Sequence, residues 1–480
     1  MESSKYDLAV IGTGPAGHHG AIQAAKLGKR VIAIEEQDRV GGGATLFGTI
    51  PSKSLREAVL HLTGLRKRTF YGTDYMVKQD PTVQDLMATT DQIVRNETAV
   101  FISQLRRNSV ELLRGRARFE DPHRLVVDTG RGQDVVEAEK ILIAVGSHPA
   151  RPPDMAFDGR KIMDSNQILT MLAIPRRLMV VGAGIIGVEY AGMFAALGAR
   201  VTLVDQRVTF LEFLDAQIRD CLEYHMQNHG IELRLGEEVV GFELRGDVVV
   251  AKTRSNKELA ADCVLYSIGR QGNTEYLNLE AAGLSADKRG RIKVNEHYQT
   301  GAPHIYAAGD VIGFPALSAT SREQGRRAMC HAFDVPSQAE PLEMPFGIWT
   351  IPEISAIGPT ERELTEEAVP YEIGIARYRE IARGQIVGDT DGTLKILFHR
   401  ETLKVLAVHI IGEGAADLVH IGQVAVTLGG TLDYFIEAVF NHPTLAECYK
   451  VAALDGLNRV RSTQGLLEAS YPPQEQTSED

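Results

Sequence analysis

The sequence predicts an α/β fold with two Rossmann-like dinucleotide-binding domains and a C-terminal α+β domain. A β-α-β unit with a glycine triplet occurs twice, and each copy is followed later by an apolar strand that ends in glycine. After residue 340 the pattern changes to strands followed by helices. The chain has 480 residues, which fits several domains because a single hydrophobic core stops growing at about 250–300 residues.

Both β-α-β units carry a GxGxxG pattern between an apolar strand and the start of a helix. The first triplet is Gly12, Gly14 and Gly17, and the second is Gly182, Gly184 and Gly187. The first glycine allows a tight turn, the second lets a pyrophosphate approach the backbone, and the third lets the helix pack on the strand. The pyrophosphate then lies at the positive end of the helix dipole. Two such units predict two dinucleotides.

A carboxylate follows the third glycine by 18 residues in each copy, at Glu35 and at Asp205. We expect both to accept hydrogen bonds from adenosine ribose hydroxyls. The alternative is an ordinary turn carboxylate at the end of a strand, and the equal offsets count against it. Asp205 favours NAD over NADP, because a 2′-phosphate would meet a fixed negative charge.

Two apolar strands, 141–145 and 264–268, run into Gly146 and Gly269 and are expected to close the two nucleotide-binding domains. A third strand ends by presenting Asp310, which suits a ribityl hydroxyl or a backbone contact. The predicted domains are residues 1–150 and 271–340 for the first nucleotide-binding domain, 151–270 for the second, 341–465 for the C-terminal domain and 466–480 for a flexible tail.

The net charge of −12 argues against nucleic acid as a main partner, because phosphate binding needs clustered Lys and Arg. No stretch is long and apolar enough for a membrane span, and the N-terminus lacks the pattern of a signal peptide, so a cytoplasmic protein is expected. The four cysteines lack paired spacing and the histidines lack metal-ligand spacing, which predicts free thiols and no metal site.

These motifs resemble those of the flavoproteins with two dinucleotide-binding domains, the family that includes dihydrolipoamide dehydrogenase and glutathione reductase. The resemblance spans Tyr6 to Val460. It implies FAD in the first domain, NAD(H) or NADP(H) in the second, and a homodimer or higher homo-oligomer formed by the C-terminal domain. The residues implied for FAD are Gly12, Gly14, Gly17, Glu35, Gly43, Thr45, Lys53, Gly146 and Asp310. The residues implied for the nicotinamide nucleotide are Gly182, Gly184, Gly187, Asp205, Arg207 and Gly269.

Disulfide reductases of this family carry a Cys-x-x-x-x-Cys pair just before an Ile-Pro-Ser-Lys motif. Here Ala44 and Thr49 occupy the two cysteine positions, while the motif is kept at residues 50–53. Alanine cannot form a thiolate and a threonine hydroxyl is not redox active. Reduction of a disulfide is therefore disfavoured.

The segment 48–53 instead resembles the soluble pyridine nucleotide transhydrogenases, in which a threonine stands at this position. Similar matches lie at residues 347–355, 392–400 and 451–459. The chain departs from them at Ala44, where better-known members keep one cysteine, and at His442, where they tend to have tyrosine. The resemblance implies an enzyme that moves hydride between NADPH and NAD+ through FAD. A single nicotinamide site then predicts ping-pong kinetics.

Lys53 resembles the family's lysine near flavin N5 and would pair with Glu189. A cation there stabilises the negative charge that develops on a reduced flavin; the alternative is a solvated lysine beside an unrelated glutamate. Arg207 matches an arginine of the transhydrogenases and could grip a 2′-phosphate, which makes dual nucleotide use possible with NAD(H) preferred. Its alternatives are an exposed side chain or a partner for Asp215.

His442 and Glu447 resemble the acid–base dyad of the disulfide reductases. Without a dithiol, the pair either protonates another acceptor, such as a quinone, or serves as an interface contact. The pair therefore keeps open a second function, an NAD(P)H:acceptor reductase of diaphorase or quinone-reductase type. A third, non-enzymatic reading is a flavin-binding sensor, which the presence of Lys53, Glu189 and Asp310 argues against.

Overall fold

The computed structural model describes residues 4–72, 74–336 and 344–470, where it forms two compact units. The first unit comprises Met1–Val59, Asp80–Gly182 and Glu238–Glu340. The second comprises Leu60–Gln79, Ala183–Glu237 and Pro341–Asp480. Residues 183–237 of the predicted second nucleotide-binding domain thus lie in the second unit and its remaining residues in the first, so the four-part division of the chain stays a prediction.

Each glycine-rich half contains a β-α-β unit, and the described part of the chain ends in helices. The strands are β1 (Ser4–Ile11), β2 (Val31–Glu35), β3 (Glu111–Arg114), β4 (Arg116–Asp121), β5 (Arg124–Asp128), β6 (Gln133–Ile143), β7 (Ser147–Pro149), β8 (Ile162–Met163), β9 (Arg177–Val181), β10 (Arg200–Asp205), β11 (Glu232–Leu235), β12 (Val239–Arg245), β13 (Val248–Thr253), β14 (Glu258–Ala261), β15 (Cys263–Tyr266), β16 (Arg270–Gly272), β17 (Ile305–Ala307), β18 (Phe346–Ile348), β19 (Ile354–Ile357), β20 (Tyr371–Arg377), β21 (Thr393–His399) and β22 (Val405–Ile411). The α-helices are α1 (Pro15–Lys26), α2 (Gly42–Leu46), α3 (Thr49–Leu62), α4 (Arg68–Tyr71), α5 (Val83–Met87), α6 (Thr90–Arg107), α7 (Ile185–Ala196), α8 (Ala216–Asn228), α9 (Ser318–Ala332), α10 (Glu361–Glu366), α11 (Ala382–Val387), α12 (Ala415–Thr427), α13 (Leu432–Glu437) and α14 (Glu447–Ser470).

The main sheet of the first unit has the order β3-β2-β1-β6-β5-β4, with β17 also paired to β6. Pairs among β3, β2, β1, β6 and β17 are parallel, whereas β4, β5 and β6 are antiparallel. Successive side chains of β1 enter opposite cores: Leu8 and Val10 pack on one face, and Ala9 and Ile11 on the other. Both faces are covered, as expected for parallel strands.

Helices α1 and α9 cover one face and pack unusually closely. A Cβ at Gly325 would lie 2.0 Å from the carbonyl oxygen of Ala16, so α9 needs glycine there. The first unit also contains a parallel set of β8, β15 and β9, an antiparallel sheet of β12, β13 and β14, and a two-stranded antiparallel ribbon of β7 and β16.

The second unit contains parallel strands β10 and β11 and an antiparallel sheet of order β18-β19-β22-β21-β20. Helices α12 and α14 pack on this sheet around a core that includes Tyr378, Phe398 and Tyr449. The predicted α+β domain is confirmed, and β22 coincides with the apolar run at residues 405–411. Helix α14 continues to Ser470 and so includes the first residues of the predicted tail, whereas 471–480 lie outside the described residues.

In the described ranges, no helix is both long and apolar enough to cross a membrane.

Candidate active site

The first glycine loop joins β1 to α1 and has no room for side chains at two positions. Gly12 adopts a φ of +97°, and a Cβ there would lie 2.4 Å from the carbonyl oxygen of Ala144. A Cβ at Gly17 would lie 1.9 Å from the carbonyl oxygen of Gly12. The tight turn and the close packing of the helix therefore both require glycine.

The start of α1 offers backbone N–H groups rather than a side-chain cap. Gly14 is the N-cap residue, Pro15 is the first helical residue, and no side chain caps the helix. Gly42 approaches Gly14 so closely that a Cβ on it would lie 2.5 Å from the Gly14 Cα. In contrast, a Cβ at Gly43 would meet no atom within 4 Å. A loop of uncapped N–H groups beside open space suits a pyrophosphate.

Glu35 stabilises this loop from the end of β2. Glu35 is 5% exposed. Its Oε2 accepts a hydrogen bond from the Thr13 N–H over 2.9 Å, and its Oε1 accepts one from the Gln37 N–H over 2.9 Å. The Thr13 hydroxyl donates to Oε2 as well. The carboxylate is therefore fixed beside the glycine loop, where its contact with a ribose remains a prediction.

Asp310 follows β17 and lies close to the same loop through its neighbour Gly309. A Cβ at Gly309 would lie 3.1 Å from the Ala16 Cβ, in the first turn of α1. The Gly309 N–H donates to the buried Gln324 side chain over 2.9 Å. The Asp310 carboxylate accepts a hydrogen bond from the Ser147 hydroxyl over 2.7 Å. The glycine loop, Glu35 and Asp310 thus all lie in the first unit, and together they form a site that fits FAD.

Three further residues predicted to contact FAD lie on neighbouring elements of the first unit. Thr45 is buried in α2, Gly146 follows β6 with a φ of +69°, and Lys53 lies in α3 with its side chain partly exposed. Ala44 lies in α2 and Thr49 begins α3, at the two positions where disulfide reductases carry cysteine.

The second glycine loop repeats the geometry of the first. Gly182 adopts a φ of +107°, and a Cβ there would lie 2.9 Å from Ile268 Cγ1. Gly184 is the N-cap of α7, again without a side-chain cap, and a Cβ on it would meet nothing within 4 Å. Gly187 is buried in α7, and Gly269 has a φ of +85°. The second loop therefore also suits a pyrophosphate.

Asp205 ends β10 and is paired with Arg207. The guanidinium donates to both carboxylate oxygens, and the Ala183 N–H donates to Oδ2 over 2.6 Å. Burial alone would raise the pKa of Asp205, but the hydrogen bonds from Arg207 and Ala183 outweigh it and lower the pKa. The alternative partner considered for Arg207, Asp215, instead contacts Lys395 at 2.8 Å.

Glu189 is buried in the second turn of α7, and its Oε1 accepts a hydrogen bond from the Trp349 N–H over 2.9 Å. This contact joins α7 to the segment after β18 within the second unit. Lys53 belongs to the first unit, and the pairing of Lys53 with Glu189 stays a prediction.

His442 and Glu447 form the predicted contact at the start of α14. His442 Nδ1 lies 2.8 Å from Glu447 Oε1, and the Thr444 N–H donates to Oε2 over 3.1 Å. The hydrogen bond from His442 lowers the pKa of Glu447. The His442 side chain is 68% exposed in the isolated chain, so the dyad lies at the surface of the second unit.

The cysteines do not supply a dithiol in place of the missing pair. Cys263, Cys330 and Cys448 are buried, Cys221 is partly buried, and all four are free. Burial raises the pKa of Cys263 and of Cys448 to about 12, which keeps these thiols protonated at neutral pH. In the part of the chain that the structure describes, no group of three His, Cys, Asp or Glu residues could hold a metal ion.

The structure adds two residues that the sequence argument did not single out. Ser147 and Arg270 each follow a strand-closing glycine, Gly146 and Gly269, by one residue. Arg270 contacts Ser147, and Ser147 contacts Asp310. The two residues occupy equivalent positions in the two glycine-rich halves. Alignment of the two halves with each other could therefore have identified them from the sequence.

The fold and the two glycine loops define an α/β oxidoreductase with two dinucleotide sites and a C-terminal α+β domain. The profile described as "Pyridine nucleotide-disulphide oxidoreductase" matches residues 6–325, and that of its dimerisation domain matches residues 344–453. The chain belongs to the pyridine nucleotide-disulphide oxidoreductase family. Members of this family depend on FAD and use NAD(P)H, which gives this chain FAD as cofactor and nicotinamide nucleotides as substrates.

Similar proteins include the soluble pyridine nucleotide transhydrogenase of Mycobacterium tuberculosis, 48% identical over 460 residues, which are 95% of this chain and 98% of the relative. That of Colwellia psychrerythraea is 44% identical over 466 residues, 96% of this chain and 100% of the relative. Among solved structures, LpdA from Mycobacterium tuberculosis matches with a TM-score of 0.87 at 26% identity, covering 94% of this chain and 99% of LpdA. The HOCl-induced flavoprotein disulfide reductase RclA from Escherichia coli matches with a TM-score of 0.84 at 25% identity, covering 94% and 99%.

Proposed function

We propose that this protein is an FAD-dependent pyridine nucleotide transhydrogenase, which moves hydride between NADPH and NAD+. The observation that carries the proposal is the coexistence of two complete dinucleotide loops with Ala44 and Thr49 in place of a redox-active cysteine pair. The names of the relatives at 44–48% identity support it. A dithiol would carry electrons on to a disulfide, and without one the electrons return to a nicotinamide nucleotide.

The first unit would hold FAD through the loop at Gly12–Gly17, with Glu35 and Asp310 for ribose and ribityl hydroxyls. Bound FAD supplies the capacity to accept a hydride from one nicotinamide and to return it to another. Lys53 would place a positive charge near the reacting ring, and preorganised charge of this kind lowers the barrier because it is in place before the reaction.

The second loop would hold the nicotinamide nucleotides one at a time, because the described residues contain one such loop besides that for FAD. This order of binding predicts ping-pong kinetics. Glu189, fixed by the Trp349 N–H, would orient the lysine charge. Asp205 favours the 2′-hydroxyl of NAD(H), while Arg207 supplies the positive charge that a 2′-phosphate needs.

Single-turnover spectroscopy tests the proposal. The holoenzyme is reduced anaerobically with one equivalent of NADPH until the visible absorbance of the oxidised flavin is lost. It is then mixed with NAD+ or with a quinone. Faster recovery of absorbance with NAD+ is expected. Faster recovery with the quinone would replace the proposal by the acceptor reductase, and flavin that stays oxidised with excess NADPH and NADH would favour a non-catalytic sensor.

The acceptor reductase is the second candidate, and the His442–Glu447 contact favours it. A histidine oriented by a carboxylate can deliver a proton near neutral pH, which quinone reduction requires and nucleotide exchange does not. His442→Asn should then slow reoxidation by a quinone while leaving reoxidation by NAD+ within about twofold. His420→Asn, at an exposed histidine of α12, is the matched control.

The dimerisation domain suggests a homodimer, and we propose a cytoplasmic homodimer. Light scattering coupled to gel filtration should give twice the chain mass of 52.5 kDa. A monomer that still exchanges hydride would contradict the dimer without affecting the proposed activity.

A further inference from the structure

Strands β7 and β16 form a two-stranded ribbon. Strand β7 follows the first glycine-rich half in the sequence, and β16 follows the second. The two strands pair antiparallel, with Arg270 opposite Pro149 and Gly272 opposite Ser147. The Asn273 side chain, directly after β16, makes two contacts with the segment around β7: its Oδ1 lies 2.6 Å from His148 Nδ1, and its amide donates to the Val145 carbonyl over 2.8 Å. Backbone pairing and side-chain contacts thus both hold the ribbon beside the end of β6.

Arg270 and Ser147 form a hydrogen-bonded chain that ends on Asp310. The Arg270 Nε donates to the Ser147 hydroxyl over 2.7 Å, and its Nη2 donates to the Ser147 carbonyl over 2.7 Å. The Ser147 hydroxyl lies 2.7 Å from Asp310 Oδ2. A guanidinium can only donate and a carboxylate can only accept, so the hydroxyl must accept from Arg270 and donate to Asp310. The donor and the acceptor of each hydrogen bond from Arg270 to Asp310 are therefore fixed.

This arrangement orients the carboxylate of Asp310. The Ser147 hydroxyl donates to Oδ2, and the same oxygen lies 3.6 Å from the Arg270 Nε. Within the described residues no donor is in hydrogen-bond contact with Oδ1. One oxygen is therefore fixed to the ribbon while the other remains available to a ligand. A hydrogen bond to an ionised group is about twice as strong as a neutral one, which favours this orientation.

We propose that Arg270 and Ser147 are positioning residues that hold Asp310 in the orientation needed to bind the ribityl chain of FAD. The inference rests on the proposed function for the identity of the ligand. The two residues act through Asp310 and do not themselves need to touch FAD. Through Arg270, the strand β16 that follows the second glycine-rich half would therefore contribute to flavin binding.

The test measures release of FAD from the holoenzyme by the gain in free-flavin fluorescence after dilution. Ser147→Ala removes the hydroxyl in the middle of the chain, and Arg270→Gln removes the charged donor. Each should speed release by about tenfold, the size of one charge-assisted hydrogen bond. Ser147→Thr keeps a hydroxyl and should restore slow release.

A second set of variants separates positioning from general weakening of the ribbon. Asp310→Asn should speed release by itself, and Ser147→Ala should add less than about twofold in the Asp310→Asn background, because both variants interrupt the same path. His148→Ala removes the other side-chain contact of the ribbon without touching Asp310 and should leave release unchanged.

Three results would overturn the inference: unchanged release in Ser147→Ala, equal acceleration by His148→Ala, or full additivity of Ser147→Ala with Asp310→Asn. If Arg270→Gln does not yield folded protein, the serine variants alone decide. Failure of the proposed function is distinguishable, because a holoenzyme that retains FAD but does not exchange hydride would still give these release rates.

Discussion

Arg207 binds Asp205 through two hydrogen bonds of its guanidinium, Nε to Oδ1 over 3.0 Å and Nη2 to Oδ2 over 2.7 Å. The backbone N–H groups of Arg207 and Ala183 donate to the same two oxygens. A ribose hydroxyl that binds Asp205 must therefore displace a guanidinium N–H. A 2′-phosphate would instead draw the guanidinium away from the carboxylate, since it offers more negative charge.

Arg207→Gln should weaken binding of NADP(H) by about tenfold to a hundredfold, because a hydrogen bond to a charged group contributes about 1.5–3 kcal/mol. Binding of NAD(H) should be unchanged or tighter, since Asp205 is then free of its competing donor. Calorimetric titration with 2′,5′-ADP and with 5′-AMP separates the two without any flavin chemistry.

Arg177→Gln is the control for Arg207→Gln, because Arg177 makes a similar contact with Asp262 at 2.7 Å outside the glycine loops. Binding of both ligands should be unaffected in this variant. Equal loss of 2′,5′-ADP and 5′-AMP affinity in Arg207→Gln would mean that the side chain only supports the loop.

Gly17→Ala should abolish stoichiometric FAD binding. The new methyl group would lie 1.9 Å from the carbonyl oxygen of Gly12, so α1 must move away from the loop that would carry the pyrophosphate. The flavin-to-protein absorbance ratio of the purified protein measures this. Gly241→Ala is the control, since a Cβ there meets nothing within 4 Å; retention of full FAD by Gly17→Ala would show that the loop tolerates the shift.

Both β-α-β units could be predicted from the sequence because their signals are local. The glycine spacing places β1, α1 and β2 within a few residues of their observed limits, and the carboxylates at the strand ends repeat at the same offset. The resemblance to the disulfide reductases identifies the absent cysteine pair at Ala44 and Thr49. In the C-terminal domain, β22 is found where the apolar run 405–411 predicts it.

Contacts between residues distant in the chain could not be predicted. The salt bridge of Lys395 with Asp215 spans 180 positions, and the hydrogen bond of Glu189 with Trp349 spans 160. The local sequence around a charged residue in an apolar strand such as β21 does not indicate which distant residue is its partner. The sequence pattern likewise left Arg207 with three possible roles, and only the fold shows its contact with Asp205.

Lys395→Met should destabilise the second unit by about 3–5 kcal/mol, because it leaves a buried carboxylate without its partner. Lys395 is fully buried and Asp215 is 1% exposed; Glu361 also contacts the ammonium. Asp215 further caps α8 by accepting from the Gln217 N–H. Urea unfolding followed through the fluorescence of Trp349, the single tryptophan of the chain, reports on this unit.

The double variant Lys395→Met with Asp215→Asn should recover part of that loss, since neither buried charge remains. Arg377→Gln is the control: it removes a half-exposed pair with Glu380 and should cost less than about 1 kcal/mol. A cost for Lys395→Met as small as that of Arg377→Gln would mean that water reaches the buried pair.

His18 is buried in α1 directly after the first glycine loop, with its ring 4.2 Å from that of Phe101. Among the described residues, neither ring nitrogen has a partner with good hydrogen-bond geometry. Burial, with a smaller contribution from the charge of His19, lowers the pKa of His18 from 6.5 to about 4. The folded protein therefore keeps this histidine neutral at a pH where the unfolded chain protonates it.

The free energy of unfolding should consequently fall as the pH drops from about 6.5 towards 4, because the unfolded state binds a proton that the folded state does not. For His18 alone the loss between pH 7 and pH 5 is about 2 kcal/mol. His18→Leu removes the titrating group and keeps an apolar side chain against Phe101, so it should flatten the pH dependence of urea unfolding by this amount. His420→Asn, at an exposed histidine, should leave the slope unchanged. An unaltered slope in His18→Leu would show that the ring is protonated in the folded state and that the acid sensitivity arises elsewhere.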